Sequence, residues 1–242
     1  MVVLYKNNKI QYKKRWLLLT KEYYMDIYAD ILNNPTDLCF IMSHYGSDKG
    51  HPDNNTRHTY TRYYSALFTP VRYQPLRVFE LGIGSINQNI RSNMGPDGKP
   101  GASLRGWKQF FPNADIFGAD IDKDILFHED RIETFYCDQF NVDTINALWD
   151  NPTLSENGFD IIIEDGLHIF ECNVLFFENS CHKLNVGGVF IIEDVCDYTL
   201  DRWNVKIFEW EVRYPNMVFR LYSVPSDNNP HDNRLIIAQR KF

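Results

Sequence analysis

From Arg77 onward the chain repeats one motif: a short apolar run that closes on a glycine or an acidic residue. Val78-Phe79-Glu80-Leu81 runs into Gly82-Ile83-Gly84, Ile116-Phe117-Gly118-Ala119 ends at Asp120, and Thr134-Phe135-Tyr136-Cys137 ends at Asp138. Phe159-Asp160-Ile161-Ile162-Ile163 ends at Glu164-Asp165, and Gly188-Val189-Phe190-Ile191-Ile192 ends at Glu193-Asp194. Short runs rich in β-branched and aromatic residues read as buried strands. Segments with helical apolar spacing separate them, notably Ser103–Phe111, Val142–Trp149 and His168–Leu184. Strands alternating with helices predict βαβ units and a parallel sheet with right-handed crossovers. Val218–Ser223 and Leu235–Gln239, joined by a stretch of Pro, Ser, Asn and Asp, predict a terminal hairpin. The expected fold is therefore Rossmann-like α/β. Its sheet is mostly parallel and seven-stranded, with helices on both faces and a C-terminal antiparallel hairpin.

The earlier part of the chain has a different texture. Trp16 to Met42 carries Leu18, Tyr23, Ile27 and Ile31 at helical spacing, broken by Asn33-Asn34-Pro35, and predicts one or two helices. A polar loop, Ser43–Arg57, follows, and His58–Phe68 returns to a helical pattern. A connection that long is commonly a functional lid. The expected division is an N-terminal helical extension with a covering loop over residues 1–72 and a Rossmann-like domain over residues 73–242. The aromatics Trp16, Tyr23, Tyr24 and Tyr28 are expected to pack on their own domain, with a homo-oligomer face as the alternative.

Composition narrows the function more than the fold. The 242 residues suit one α/β domain with an extension, and 44% hydrophobic residues allow a sizeable core. A net charge of −7 argues against a broad nucleic-acid footprint, and the basic run Lys13-Lys14-Arg15 is too short to reverse that. The cysteines at 39, 137, 172, 181 and 196 include no CxxC pair, so reduced thiols in a cytoplasmic protein are expected, with neither a disulfide framework nor a zinc site. No apolar stretch is long enough for a membrane span, and Met1 to Lys14 lacks the apolar core of a signal peptide.

Ligands of open α/β sheets bind beyond the carboxyl ends of the strands, so the strand-end acids should gather around one crevice. Each acid taken alone is as well explained as a cap for the helix that follows. The series in register is not. Glu80-Leu81-Gly82-Ile83-Gly84 has the short GxG core but lacks the third glycine of a dinucleotide fingerprint, since Asn87 and Gln88 stand in its place. That turn suits a cofactor without phosphates, held by its amino-acid end, with Glu80 organising the site. Asp120 is placed to accept hydrogen bonds from ribose hydroxyls. Asp138 and Gln139 follow the third strand, where an adenine amino group would lie, or else Asp138 caps the helix at Val142. Asp165, Glu193 and Asp194 follow adjacent strands and should converge. Carboxylates packed together call for a hard divalent cation, and all-oxygen ligation favours Mg²⁺, Mn²⁺ or Ca²⁺ over zinc. His168, close behind Asp165, is a candidate general base, with metal-ligand, supporting or structural roles as alternatives.

An ordered set of motifs from Ser43 to Asp194 resembles the metal-dependent sugar O-methyltransferases of the macrocin and mycinamicin type, within the class I S-adenosylmethionine methyltransferases. The set begins with Gly46-Ser47-Asp48-Lys49-Gly50, then His58, Tyr60, Tyr64 and Phe68, then Phe79-Glu80-Leu81-Gly82-Ile83-Gly84. Gly101-Ala102-Ser103-Leu104-Arg105 with Trp107, Phe111-Pro112 with Ala114, and Gly118 with Asp120-Ile121-Asp122 continue it. Asp138-Gln139, Glu164-Asp165-Gly166 with His168, and Gly187-Gly188 with Phe190 and Ile192-Glu193-Asp194 complete it. The resemblance implies S-adenosyl-L-methionine as cofactor and Mg²⁺ held by Asp165, Glu193 and Asp194, with His168 as base and Asp165 beside it. It implies cofactor contacts from Ser47, Lys49, Tyr64, Glu80, Gly82, Gly84, Ser103, Asp120, Asp138, Gln139 and Asp165. The polar, Asn-rich stretch Ser85–Met94 and the region after Asp194 depart from the family pattern, both where an acceptor is shaped.

The expected activity is O-methylation of a small sugar-like or glycan-precursor acceptor. A catechol-like or phosphate-like oxygen acceptor would use the same machinery. A metal-dependent relative that does not methylate is disfavoured by Glu80, Asp120 and Asp138, and a bare binding module by the intact Asp165, His168, Glu193 and Asp194.

Overall fold

The computed structural model describes residues 34–53 and 57–242 in full and the backbone of the strands at 3–6 and 9–12. Strands β1 (Val3–Lys6) and β2 (Lys9–Tyr12) pair as an antiparallel hairpin, where no strand is expected from the sequence. The predicted helix over Trp16–Met42, with its aromatics, lies outside the described residues up to Asn33. Helix α1 (Asp37–Tyr45) starts after Pro35 and ends at Gly46, whose φ of 84° is the left-handed conformation that stops a helix. The polar loop is correspondingly shorter than Ser43–Arg57 at its start, and helix α2 (Tyr60–Phe68) follows it.

Each predicted strand of the main sheet is present: β3 (Arg77–Leu81), β4 (Asp115–Asp120), β6 (Ile132–Tyr136), β7 (Phe159–Glu164), β8 (Leu184–Ile192), β9 (Met217–Ser223) and β10 (Arg234–Arg240). The sheet is mixed and eight-stranded, in the order β5-β6-β4-β3-β7-β8-β10-β9, which corrects the expected seven. The added member is β5, the dipeptide His128–Glu129, paired antiparallel to β6 at the edge. A dipeptide has no periodicity to read. Strand β8 begins well before its apolar run, because the pairing slips between Phe159 and Ile161 and lets the polar residues ahead of Gly188 join the strand. Strands β6, β4, β3, β7 and β8 run parallel, and β10 is antiparallel to both its neighbours.

Helices α3 (Ala102–Phe110), α4 (Val142–Asp150), α5 (Pro152–Ser155), α6 (Phe170–Ser180) and α7 (Leu200–Arg213) complete the fold. The sequence reading has no α7, although Leu200, Trp203, Ile207 and Trp210 share one face of it, and Trp203 and Trp210 are buried. Alternation along the strands sends neighbouring side chains to opposite faces. One apolar layer joins Val78, Ile116, Ile161 and Ile191 to residues of α1, α2 and α3, so the segment before the sheet shares its core. The other joins Phe79, Phe117, Ile162 and Phe190 to Trp149, Phe176, Trp203 and Trp210. By the same alternation Glu80 falls on the α3 face, a fully buried carboxylate among apolar groups. Such a residue must find donors, and it does.

Candidate active site

The sheet reverses its winding at β3, with β4 on one side and β7 on the other, and the crevice of an open α/β sheet opens there. A cavity of about 390 Å³ sits at this point, lined by the 82–84 turn, the ends of β4, β7 and β8, and the 47–49 loop. Gly82 and Gly84 hold φ values of 86° and 88°. Gly82 is also a close approach: a Cβ there would meet the carbonyl oxygen of Asp165 at 2.0 Å. The turn thus lets the β7 loop lie against it.

Several expected cofactor contacts are engaged in building this turn. Glu80 accepts hydrogen bonds from Ser103 Oγ at 2.6 Å and from Trp107 Nε1. Ser103 therefore faces Glu80 as well as the cavity, and α3 is tied to β3 through a carboxylate whose pKa burial pushes up. Asp120 accepts from the backbone N–H of Ile83 and of Asp122, both at 2.9 Å, so its first task is to pin the glycine turn. Asp138 accepts from Phe140 N at 2.9 Å, while the cap of α4 is Asn141, which accepts from Asp143 N at 2.9 Å. Asp120 and Asp138 both line the cavity.

Gln139, expected against adenine, lines the cavity with its amide already engaged. Its amide is spanned between two protein groups: Nε2 donates to Glu164 Oε1 at 2.7 Å, and Oε1 accepts from Leu167 N at 2.8 Å. Gly166 N donates to the same Glu164 oxygen at 3.1 Å. Burial pushes the Glu164 carboxyl up to about 7. These bonds fix the loop that carries Asp165 and His168. His168 itself precedes α6, with φ at 55°, rather than starting a helix. Asp194 has the same φ of 55°. Left-handed conformations at non-glycine residues concentrate at functional sites, where the surroundings hold them.

The acidic centre forms because Asp165 and Glu193 follow the neighbouring parallel strands β7 and β8. Lys49, expected on the cofactor, lines the cavity and enters this centre: its Nζ donates to Asp165 Oδ2 at 2.6 Å and to Glu193 Oε2 at 2.7 Å, and lies 3.6 Å from Glu80 Oε1. Burial would lower the Lys49 pKa, but Asp165, Glu193 and Glu80 outweigh it and hold the ammonium well above its usual range. Tyr64, also expected on the cofactor, is fully buried and donates to Glu193 Oε1 at 2.5 Å. Glu193 is thereby held by Lys49 and Tyr64 on its two oxygens. Ser47 Oγ accepts from Lys49 N at 3.4 Å and borders the cavity.

The structure gathers a second group beside this one. Asp165, His168 and Asp194 each offer a donor atom within 4.8 Å of the others, with His168 Nε2 3.5 Å from Asp194 Oδ2 and 4.0 Å from Asp165 Oδ1. Glu193 is not part of this set as its carboxylate stands. The donors fit a hard divalent ion. The Asp165 and Asp194 carboxylates supply the oxygen ligands such an ion takes, with the His168 imidazole beside them. Burial, and after it the neighbouring carboxylates, push Asp194 and Glu193 up. Burial works against protonation of His168, but Asp194, Asp165 and Glu164 outweigh it and raise its pKa.

Three supporting residues have no assigned role in the sequence reading. Tyr60 Oη donates to Asp194 Oδ1 at 2.7 Å, and His58 Nδ1 lies 3.3 Å from the same oxygen. Asp232, on the β9–β10 connection, reaches the cavity and pairs with Arg57 at 2.9 Å. The His58-x-Tyr60 motif signalled the first two. Nothing local marks Asp232.

No protein-family model matches the chain. Among curated proteins it is 34% identical over 164 residues to the 8-demethyl-8-(2-methoxy-alpha-L-rhamnosyl)-tetracenomycin-C 3'-O-methyltransferase of Streptomyces olivaceus, covering 67% of this chain and 38% of that protein. It is 31% identical over 159 residues to the mycinamicin VI 2''-O-methyltransferase of Micromonospora griseorubida, covering 66% of this chain and 36% of that one. The chain thus spans well under half the length of the curated relatives it matches. Among solved structures, the MycE methyltransferase of the mycinamycin biosynthetic pathway, in complex with Mg and SAH, superposes with a TM-score of 0.64 at 24% identity, over 86% of this chain and 55% of that one. At that identity the match speaks for the fold. By sequence this chain is similar to the tetracenomycin-C and mycinamicin VI O-methyltransferases over part of their length, and its fold is similar to that of the MycE methyltransferase.

Proposed function

We propose that the protein is an S-adenosylmethionine-dependent O-methyltransferase acting on a hydroxyl of a small sugar-like or glycan-precursor acceptor, assisted by Mg²⁺. The observation that carries this reading is one cavity joining the 82–84 turn to the Asp165, His168 and Asp194 cluster. The similar curated proteins include a rhamnosyl-tetracenomycin-C 3'-O-methyltransferase and a mycinamicin VI 2''-O-methyltransferase, and MycE was solved with Mg and SAH.

S-adenosylmethionine, when bound, supplies a methyl group already activated by the sulfonium. The chain's own work is alignment and proton removal. The glycine turn offers backbone that a ligand can approach closely, and Asp120 and Asp138 border the cavity as acceptors for hydroxyl and amino groups. Asp165, Asp194 and Glu193 would hold the ion, whose charge makes an acceptor hydroxyl more acidic. His168 takes the hydroxyl proton on its imidazole, and Asp194, 3.5 Å away, stabilises the resulting cation. Tyr60 and His58 fix the Asp194 carboxylate from behind.

The test is a methyl-transfer screen over nucleotide-sugars and glycan acceptors, with and without Mg²⁺, alongside calorimetric titration with S-adenosylmethionine. Saturable cofactor binding and Mg²⁺-stimulated transfer are expected. Absence of any cofactor heat sinks the methyltransferase reading, and full activity in chelator sinks the metal. Asp194→Ala is expected to remove Mg²⁺ stimulation and leave cofactor affinity nearly unchanged, because Asp194 follows β8, which is separated by β7 from the β3 strand that carries the glycine turn.

A further inference from the structure

Lys49 is the ammonium at the heart of the acidic centre, and its contacts conflict with a second cation there. Its Nζ takes one oxygen of Asp165 at 2.6 Å and one of Glu193 at 2.7 Å. Tyr64 takes the other oxygen of Glu193. An ion on the remaining oxygen of Asp165 would share that carboxylate with a buried positive charge, and like charges in a poorly solvated site repel strongly. An ion that also used Glu193 would need the oxygen Lys49 holds.

The lysine has a way out that leaves the loop in place. Its carbonyl accepts from Thr61 N at 3.1 Å, and a Cβ on Gly50 would meet Thr61 Oγ1 at 1.9 Å, so the backbone is packed against the start of α2. The same helix carries Tyr64 to Glu193 and, at its first residue, Tyr60 to Asp194. The four-carbon side chain of Lys49 borders the open cavity and turns on its own rotamers. We infer that Lys49 is a resident cation that competes with a divalent ion for Asp165 and Glu193, so that metal loading displaces the lysine. This inference rests on the Mg²⁺-assisted reading above. It gives Lys49 a second role: with the ion absent, the ammonium bridges the two carboxylates and holds them in place.

Mn²⁺, whose free ion is counted directly by electron paramagnetic resonance, is titrated into the wild type, Lys49→Met, Lys49→Arg and Asp194→Asn without cofactor or acceptor. Lys49→Met is expected to bind Mn²⁺ about tenfold tighter than wild type, within the usual range of coupling between sites. Lys49→Arg, which keeps the charge, is expected to gain nothing, and Asp194→Asn to bind more weakly than wild type. Equal or weaker binding by Lys49→Met, with Asp194→Asn still weakened, overturns the competition and leaves the metal reading standing. No saturable Mn²⁺ in any of the four removes both.

A second measurement needs no variant, in case Lys49→Met does not fold. Lysines of the wild type are acylated with an amine-reactive ester and counted by mass spectrometry, with and without saturating Mn²⁺. Lys49 is expected to be protected in the metal-free protein and labelled several-fold more when Mn²⁺ is bound. Unchanged protection at saturation overturns the proposal.

Discussion

His168→Ala is expected to slow methyl transfer by about 10²- to 10⁴-fold, the usual contribution of a positioned general base, and to leave S-adenosylmethionine binding unchanged. The imidazole faces Asp194 and Asp165, whereas the glycine turn is organised by Asp120 and its ligand-facing backbone by Gly82 and Gly84. Its Nδ1 makes no hydrogen bond among the described residues, so truncation breaks no hydrogen bond at that atom. Single-turnover transfer with labelled cofactor gives the rate, and calorimetry gives the affinity. A parallel fall in both would assign His168 to the architecture of the site instead of to proton removal.

Gly82→Ala is expected to cost about 3 kcal/mol or more. A left-handed φ charges an L-residue roughly 1–2 kcal/mol. The rest comes from a Cβ placed 2.0 Å from the Asp165 carbonyl oxygen, a backbone atom that cannot rotate away. For a chain of this size that corresponds to a melting point lower by on the order of 10 °C. Gly95→Ala is the control. It shares a positive φ, 77°, but its Cβ would meet nothing within 4 Å, so only the conformational part is expected. Equal thermal shifts in the two variants would show that the 82–165 contact is softer than the packing implies. Gly82→Ala should also weaken cofactor binding, because the displaced Asp165 loop and the turn line the same cavity.

The parts of the site that were legible in advance are those that follow from strand ends. Apolar runs mark the parallel strands, and in a parallel sheet their last residues point to one edge. Glu80, Asp120, Asp138, Asp165, Glu193 and Asp194 could therefore be gathered at one crevice before any contact was known. What a residue's polar atoms do there was less legible. Gln139 sits after its strand as expected, yet both ends of its amide are taken by Glu164 and Leu167. The resemblance implies a cofactor contact for Tyr64, and it gives no sign that the hydroxyl donates to Glu193. Side-chain geometry of that kind depends on packing from elements distant in the chain.

By itself the sequence determined the alternation of strands and helices, the mostly parallel sheet with its terminal hairpin, and the acidic residues at the strand ends. All of these follow from local periodicity and short-range turn chemistry. Only the tertiary structure decided that Lys49 crosses from the loop before α2 to bridge Asp165 and Glu193, at sequence separations of 116 and 144. It also decided that Asp194 is held by Tyr60, 134 residues earlier, and that β5 adds an eighth strand. The edge dipeptide β5 is too short to carry any periodicity, and for Lys49 and Tyr60 the physical reason is one and the same. A buried charge must be satisfied by whichever donor the fold brings near, and that donor's identity is a property of the packed core, not of the residues on either side.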